Sequence, residues 1–403
     1  MRILSIETSC DETAVSIVEA TGGLENPIFS VLGNALFSQI DIHKEFGGVF
    51  PMIAKREHAK KLPTLLKKTL VEADMHTLYD ISYSVKKWKE IKTILVREEN
   101  LYEGLKNVLE NIQKPDIDVI SVTSGPGLAP ALWVGISFAT ALGKLWGIPV
   151  VPVNHMEGHI CSVLLNRTDK IINPNNQFPK KQNKIQFPAI ALLISGGHTE
   201  LVEVKNWGEY KILGETRDDA VGEAFDKVAR MLGLPYPGGP EISKLAQRAQ
   251  EENLLHTAKF PRPMIHSNDF DFSFAGLKTS VLYYLRETFG REEPTLEQKT
   301  DIAREFEDAV VDVLVYKTKK TLEDVNAKTL IIAGGVIANK KLREVFGKFE
   351  TEYTNLEVKI PTHSMTGDNA LMIACASYIN ILLYPELLSK PQNIIANGNL
   401  RLS

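Results

Sequence analysis

The amino-acid sequence predicts an α/β protein built from two matching lobes, and three observations carry that reading. An apolar strand, a short polar tip and a returning apolar strand open the chain at residues 3–19, and the same order recurs at 188–204. A strand, a glycine turn, a helix and a second strand leading to proline, a polar residue and histidine occupy 118–155, and again 329–363. Finally, Pro152-Val-Asn-His-Met-Glu-Gly-His159 and Pro361-Thr-His-Ser-Met-Thr-Gly-Asp368 put a polar loop at the same point of each half.

Taken in order, 3–7 and 14–19 pair as the first hairpin, with Asp11 and Glu12 on its tip, where aspartate suits turn chemistry. A loop at 46–51 leads into a long helix, 53–73, whose basic face carries Lys55, Arg56, His58, Lys60, Lys61, Lys67 and Lys68. A solvated face and a phosphate-contacting face are both open for it. Residues 75–100 read as an irregular insertion rich in lysine and glutamate, and 101–112 as a helix. The buried strand 118–123, the turn Ser124-Gly-Pro-Gly127 and the helix 132–146 form a layout that aims backbone N–H groups at an anion. Residues 166–187 lack apolar periodicity and read as an irregular linker.

In the second half, Ser195-Gly-Gly-His-Thr199 is the polar tip, and its glycines permit close backbone approach to a ligand. A helix at 218–232 contains Gly222, Asp226 and Lys227, and Tyr236-Pro-Gly-Gly-Pro240 turns into another at 241–250. An aromatic loop over 260–278 opens a helix at about Leu277, and 300–321 is a long amphipathic helix. The strand 329–333, the turn Gly334-Gly335, the helix 338–349 and the strand 356–360 complete the pattern. The expected division is an N-terminal lobe at 1–165, a linker at 166–188 and a C-terminal lobe at 189–377 with a helical insertion at about 215–325, the tail 378–403 packing back on the first lobe. Two α/β halves that each open with a polar-tipped hairpin describe an actin/hexokinase/Hsp70-like fold with internal duplication and an interlobe cleft.

Bulk properties agree. A chain of 403 residues fits roughly two to three ordinary domains, and 44% hydrophobic with 24% charged residues is a globular composition. The net charge of −4 marks no polyanion binder in the total, so any nucleic-acid surface rests on local patches such as 55–68, 86–92, 180–184 and 340–343. Cys10, Cys161 and Cys375 are scattered and odd in number, which points to a reducing compartment rather than a disulfide framework. A strand pattern begins at once, with no signal or transit segment, so a cytosolic chain or a processed mature form is expected. The apolar run 132–153 holds Lys144 and a Gly147-Ile-Pro149 break, and reads as a buried helix and strand rather than a membrane span.

The chemistry gathers at His155 and His159. With Asn154 as N-cap, the i and i+4 imidazoles share one helix face and can reach one metal ion. Glu157 points away from both, which separates this pair from the H-E-x-x-H metalloprotease signature, and Cys161 is also off their face. If the halves face each other, Asp368 can meet the two histidines across the cleft. A sugar or acyl kinase on the same fold would not need the histidine pair, a metalloprotease would need Glu157 turned round, and a non-catalytic nucleotide-binding partner is the third rival.

In order along the chain stand Ser5-Ile-Glu-Thr-Ser-Cys-Asp-Glu-Thr13, Asn154-His-Met-Glu-Gly-His159, Ser195-Gly-Gly-His-Thr199, Glu223-Ala-Phe-Asp-Lys227, Tyr236-Pro-Gly-Gly-Pro240, Phe272-Ser-Phe-Ala-Gly-Leu-Lys278, Gly334-Gly-Val-Ile-Ala-Asn339 and Thr366-Gly-Asp-Asn369. Together, from Arg2 to about Tyr378, they resemble the tRNA N6-threonylcarbamoyladenosine transferase family, once labelled an O-sialoglycoprotein endopeptidase. The resemblance implies transfer of a threonylcarbamoyl group from threonylcarbamoyl-AMP, made by a separate synthase, to N6 of adenosine 37 in tRNAs reading ANN codons, with AMP released. It implies a divalent metal (zinc, iron or manganese, with magnesium also open) held by His155, His159 and Asp368. It further implies an adenylate site, open to ATP, ADP or AMP, lined by Leu193, Ile194, Ser195, Gly196, Gly197, Asp226, Gly239 and Asn339. As a hypothesis, Asp11 or Glu12 orients or deprotonates N6.

Two departures stand out. Leu193 occupies the place where some members have a metal-binding tyrosine, and the insertions at 75–100 and 166–187 exceed the compact bacterial length. His198 and the 272–278 loop match the bacterial and organellar branch. With Lys/Asn-rich insertions, this suggests a mitochondrial matrix member, processed or truncated at its N-terminus, or a cytoplasmic one if bacterial. Membership of the mitochondrial branch implies a homodimer that dispenses with the bacterial accessory subunits, and no membrane association is expected.

Overall fold

A computed structural model describes residues 1–78, 83–98, 100–165, 184–389 and 393–402. The chain forms two compact units, Met1–Lys184 with Asp368–Leu402, and Ile185–Gly367.

Each unit holds a five-stranded mixed sheet. In the first, β1 (Arg2–Glu7), β2 (Glu12–Thr21), β3 (Ile28–Ser38), β4 (Val119–Gly125) and β5 (Val150–Asn154) lie in the order β3-β2-β1-β4-β5. β1, β2 and β3 are an antiparallel meander, while β4 and β5 run parallel to β1. In the second, β6 (Ala189–Ile194), β7 (Thr199–Asn206), β8 (Glu209–Glu215), β9 (Thr329–Ala333) and β10 (Glu357–Lys359) lie in the order β10-β9-β6-β7-β8 with the same senses. Matching β6 to β1, and so on along the chain, makes the two orders identical. The internal duplication is real, and the topology is that of the actin/hexokinase/Hsp70-like class. The sequence reading found only two strands of each meander. The missing third strands, β3 and β8, are sheet edges whose mixed exposure leaves little period-two signal.

In β1, Leu4 and Ile6 enter a core with Val15, Leu62, Leu66 and Phe138. Successive strand residues face opposite ways, so Ser5 and Glu7 share the other face. There the Ser5 hydroxyl donates to the Ala370 carbonyl at 2.7 Å. The helix Ala370–Leu383 covers that face, packed against β1, β2 and β5, and it is apolar nearly all round, as a helix enclosed on every side must be. The expected lobe boundary at 377 therefore moves: the chain rejoins the first unit at Asp368.

The helix Pro51–Glu72 starts on a proline suited to a first helical turn, and its burial corrects the expected basic face. His58 is fully buried, Lys55 pairs with Glu98 at 3.3 Å, and Lys61 lies over the Phe37 ring at 4.1 Å. Arg56, Lys60, Lys67 and Lys68 remain exposed. The insertion at 75–100 is not irregular throughout. Val85–Ile94 is a helix, N-capped by Ser84, that buries Trp88 and Ile91. The stretch expected as a linker, and the basic patch 180–184, lie outside the described residues as far as residue 183.

Between β8 and β9 come the helices Val221–Met231, Gly238–Glu251, Ala275–Phe289 and Leu296–Val325, the last opened by a Thr295/Gln298 capping box. They close a core around Phe225, Ile242, Leu277 and Phe306 against Ile190, Leu192 and Ile332. The third begins two residues earlier than expected because the Asp218 carboxylate accepts from the N–H groups of Phe274 and Ala275 at 2.8 and 3.1 Å. No helix among the described residues is long and apolar enough to cross a membrane.

Candidate active site

The first unit brings three side chains together outside the carboxyl ends of its parallel strands, where open α/β sheets place their ligands. Asn154 ends β5 and caps the helix His155–Cys161, accepting from the N–H groups of Met156 and Glu157 at 2.9 and 3.4 Å. His155 and His159 thereby share a face, their ring centroids 4.7 Å apart. Gly158 lets this helix lie close to Ala370–Leu383, since a Cβ there would stand 3.0 Å from Ile373 Cδ1. Asp368, just ahead of that second helix, puts Oδ1 at 3.4 Å from His155 Nε2 and 3.2 Å from His159 Nε2. The expected trio meets, but inside one unit, because Asp368 travels with the first unit's own helix.

These residues fit a divalent cation. Donors bound tetrahedrally at about 2.0–2.1 Å would be about 3.4 Å apart, close to the two separations seen, and all three donor atoms lie within 4.8 Å of one another. Both ring nitrogens of His159 are buried and neither makes a well-formed hydrogen bond, and a cation shared with Asp368 would satisfy Nε2. His155 Nδ1 meets Glu7 Oε2 at 3.2 Å, the outer carboxylate that commonly orients a metal-binding histidine. Glu7 also accepts from the Ser9 N–H and the Thr123 hydroxyl. Burial alone would raise the carboxyls of Glu7 and Asp368, but the histidines beside them hold both below the ordinary range. Burial opposes the His155 cation, yet Asp368 and Glu7 push its pKa well up.

A second grouping, His256, Glu305 and Asp308, has comparable spacing but no free donors. Glu305 is engaged by Arg262, His256 and the Phe260 N–H, and Asp308 by Arg304 and Lys341.

Glu12 lies near enough to Asp368 and Asp11 to feel both charges. The Gln39 N–H donates to the Asp11 carbonyl at 2.9 Å, and the Ser38 hydroxyl donates to Glu12 Oε1 at 3.1 Å. Burial first, then Asp11 and Asp368, raise the Glu12 carboxyl well above its ordinary value. His58 braces this tip from below. Its Nε2 lies 3.0 Å from the Cys10 carbonyl and its Nδ1 2.7 Å from the Thr13 hydroxyl, so a neutral ring donates to the first and accepts from the second. Glu157 is turned instead to Asn380, whose amide donates to it at 2.7 Å, and Cys161 is buried with its thiol pKa pushed up by that burial.

The Ser124-Gly-Pro-Gly127 turn is not an open anion cradle. Its Gly127 N–H donates to the Gly398 carbonyl at 3.1 Å, and the Ser124 carbonyl accepts from the Asn397 N–H at 2.8 Å, so the C-terminal segment already occupies the turn.

In the second unit, Leu193 and Ile194 are wholly buried in β6. Beyond them the Ser195 hydroxyl accepts from the Gly197 and His198 N–H groups at 3.4 and 3.1 Å. Gly196, Gly197, Gly239 and Gly335 have open space where a Cβ would stand, whereas one on Gly222 would lie 2.7 Å from the Ser195 carbonyl oxygen. Asp226 Oδ1 accepts from the Gly238 N–H at 2.7 Å. The Asn339 side chain is committed to the protein: it caps Leu342 at 2.9 Å and donates to Ser243 and Glu307, each at 2.7 Å. Lys227 and Lys278 converge on Asp219 at 2.7 and 2.8 Å, a cluster the sequence reading did not assemble.

Comparison with known proteins places the chain in a family. A family model described as TsaD, tRNA N6-adenosine threonylcarbamoyltransferase, matches residues 30–84 and 98–375. A protein of that name from Thermosipho africanus (strain TCF52B) is 41% identical over 402 residues, covering 100% of both chains. Another from Burkholderia ambifaria (strain MC40-6) is 40% identical over 389 residues, covering 96% of this chain and 94% of its own. Among solved structures, T. kodakarensis HypF aligns with TM-score 0.47 and 13% identity over 72% of this chain and 45% of its own. The activator of the 2-hydroxyisocaproyl-CoA dehydratase from Clostridium difficile aligns with TM-score 0.43 and 11% identity over 96% and 97%. With the family model matched along most of its length and full-length relatives at this identity, the chain belongs to the tRNA N6-adenosine threonylcarbamoyltransferase family.

Proposed function

We propose that this enzyme transfers the threonylcarbamoyl group of threonylcarbamoyl-AMP to N6 of adenosine 37 in tRNAs that read ANN codons, releasing AMP. The observation that carries the reading is the His155, His159 and Asp368 trio, with separations of 3.4 and 3.2 Å, in a chain of this family. A bond forms between N6 and the carbamoyl carbon, the anhydride bond to phosphate breaks, and N6 gives up a proton.

His155, His159 and Asp368 would hold the divalent cation, with Glu7 fixing the His155 ring. When bound, the ion supplies Lewis-acid polarisation of the donor's carbonyl. Glu12, whose carboxyl has a raised affinity for protons, takes the N6 proton, and Asp11 beside it keeps that affinity high. The open space beside Gly196, Gly197, Gly239 and Gly335 would seat the adenylate close to the backbone. Asn339 shapes this wall through its backbone, its side chain being engaged elsewhere. The donor comes from a separate synthase. A self-associating mitochondrial form rests on the resemblance alone, since the Thermosipho africanus relative matches the chain over 402 residues and 100% of both chains, so the insertions at 75–100 and 166–187 do not set it apart from bacterial members.

The test is reconstitution with threonylcarbamoyl-AMP and an unmodified ANN-decoding tRNA, read by nucleoside mass spectrometry. The modified adenosine should form, and His159→Ala should abolish it. Absence of product alongside ATP-dependent phosphorylation of a small molecule would favour a kinase instead.

A further inference from the structure

We infer that the C-terminal segment 393–402 is a positioning strap for His155 and His159, without which the site loses most of its hold on a divalent cation. This rests on reading the two histidines as metal ligands.

The helix that carries them, His155–Cys161, has 7 residues. A helix this short does not hold itself together, so its first turn must be fixed from outside. Asn154 does this with both ends of its amide. Oδ1 accepts from the Met156 and Glu157 N–H groups, while Nδ2 donates to the Arg401 carbonyl at 3.2 Å. The Arg401 carbonyl thus holds the far end of an amide whose near end is set by the two helix N–H groups. Without it, the capping side chain is anchored from the helix side alone.

Arg401 is held by a backbone clasp. Asn397 N–H donates to the Ser124 carbonyl at 2.8 Å, and Gly127 N–H to the Gly398 carbonyl at 3.1 Å. Glycines on both sides make the clasp possible. A side chain on Gly125, whose φ is +151°, would run into the Asn397 carbonyl, and a Cβ on Gly398 would stand 2.8 Å from the Gly127 carbonyl oxygen. Ile394 and Ala396 pack against the first unit's core, and Leu402 is only 7% exposed. The strap is therefore docked along its length and ends on the cap of the histidine helix.

The experiment titrates Co2+ into metal-free protein and follows its visible absorption. Three forms are compared: the full chain, a chain truncated after residue 392, and the full chain carrying Asn397→Pro, which deletes the donor to Ser124. Circular dichroism and Tm report folding in parallel. Truncation should weaken Co2+ binding about 10–100-fold, the usual effect of losing outer-shell support. A synthetic peptide of residues 393–403 should restore it. Asn397→Pro should weaken binding in the same direction. Unchanged Co2+ affinity in either variant, or a folded truncated chain that the peptide does not rescue, overturns the strap. If truncation prevents folding, Asn397→Pro alone decides. Failure of the full chain to bind Co2+, or binding that survives His159→Ala, would instead sink the ligand reading itself.

Discussion

Glu7→Gln asks whether the outer carboxylate governs the proposed metal site. Glu7 is fully buried, and its oxygens receive donors only: the Ser9 N–H at Oε1, and the Thr123 hydroxyl and His155 Nδ1 at Oε2. Glutamine offers one carbonyl oxygen and an NH2 that cannot accept. Keeping His155 and Thr123 on the oxygen sets the NH2 against the Ser9 N–H, and the reverse orientation drives it at His155 Nδ1–H. One buried donor is left unmet in either case, a cost of about 1–3 kcal/mol. The orientation of His155 is lost when the strain falls on Nδ1. Loss of such an outer partner typically weakens metal binding 10–100-fold, or about 1.4–2.7 kcal/mol. Co2+ titration of metal-free Glu7→Gln, with Tm measured alongside, should show that loss and a lower Tm. Wild-type Co2+ affinity in a well-folded Glu7→Gln protein would refute the claim that Glu7 positions His155.

Other consequences are equally direct. Glu12→Gln should lower single-turnover transfer by about 10²–10⁴-fold with tRNA and donor affinity kept; an unchanged rate removes Glu12 as the base. Burial holds the His58 imidazole down to about 4, so its share of stability is present above the unfolded pKa near 6.5. That share, about 3 kcal/mol, is lost as pH falls from 6.5 to 4, because only the unfolded chain takes up the proton there. Urea unfolding at pH 7 and pH 4.5 should show it, and an equal acid loss in His58→Gln would exclude His58 as its source. Gly222→Ala places a methyl 2.7 Å from the Ser195 carbonyl oxygen, so calorimetry should find AMP binding weakened roughly tenfold, with about 1–3 kcal/mol less stability. Unperturbed AMP binding would mean that this tip does not seat the nucleotide. Reversing Arg56, Lys60, Lys67 and Lys68 to glutamate should weaken tRNA binding and flatten its salt dependence if that face follows phosphates; the same slope as wild type would mark it as merely solvated.

Much of this centre is visible in the sequence, for reasons specific to each residue. The helix cap and i, i+4 spacing at Asn154, His155 and His159 are local, so periodicity alone placed them on one face. Asp368 emerged from the duplicated loop, yet its unit did not, because helix packing is decided by partners distant in the chain. Glu7 went unnoticed although it closes an apolar strand on the same face as Ser5; a carboxylate there must be buried and needs donors. His58 was assigned to the basic face, but it falls in register with Ala54, Leu62 and Leu66, all on the buried side. The Ser124–Gly127 turn carries the glycine pattern of an anion cradle, and no local pattern could reveal that residues 397 and 398 already lie over it.

The return of the chain at Asp368 has a bearing on biosynthesis. β1 to β5 emerge from the ribosome early, but the helix that covers Ser5 and Glu7 is made only after all of Ile185–Gly367. Until then the two imidazoles lack the Asp368 carboxylate, and the face of the nascent sheet that carries Ser5, Glu7, Ser16 and Ser121 is uncovered. Completion of that sheet is thus a late, long-range event, slow by contact order, and cation loading should follow chain release rather than precede it.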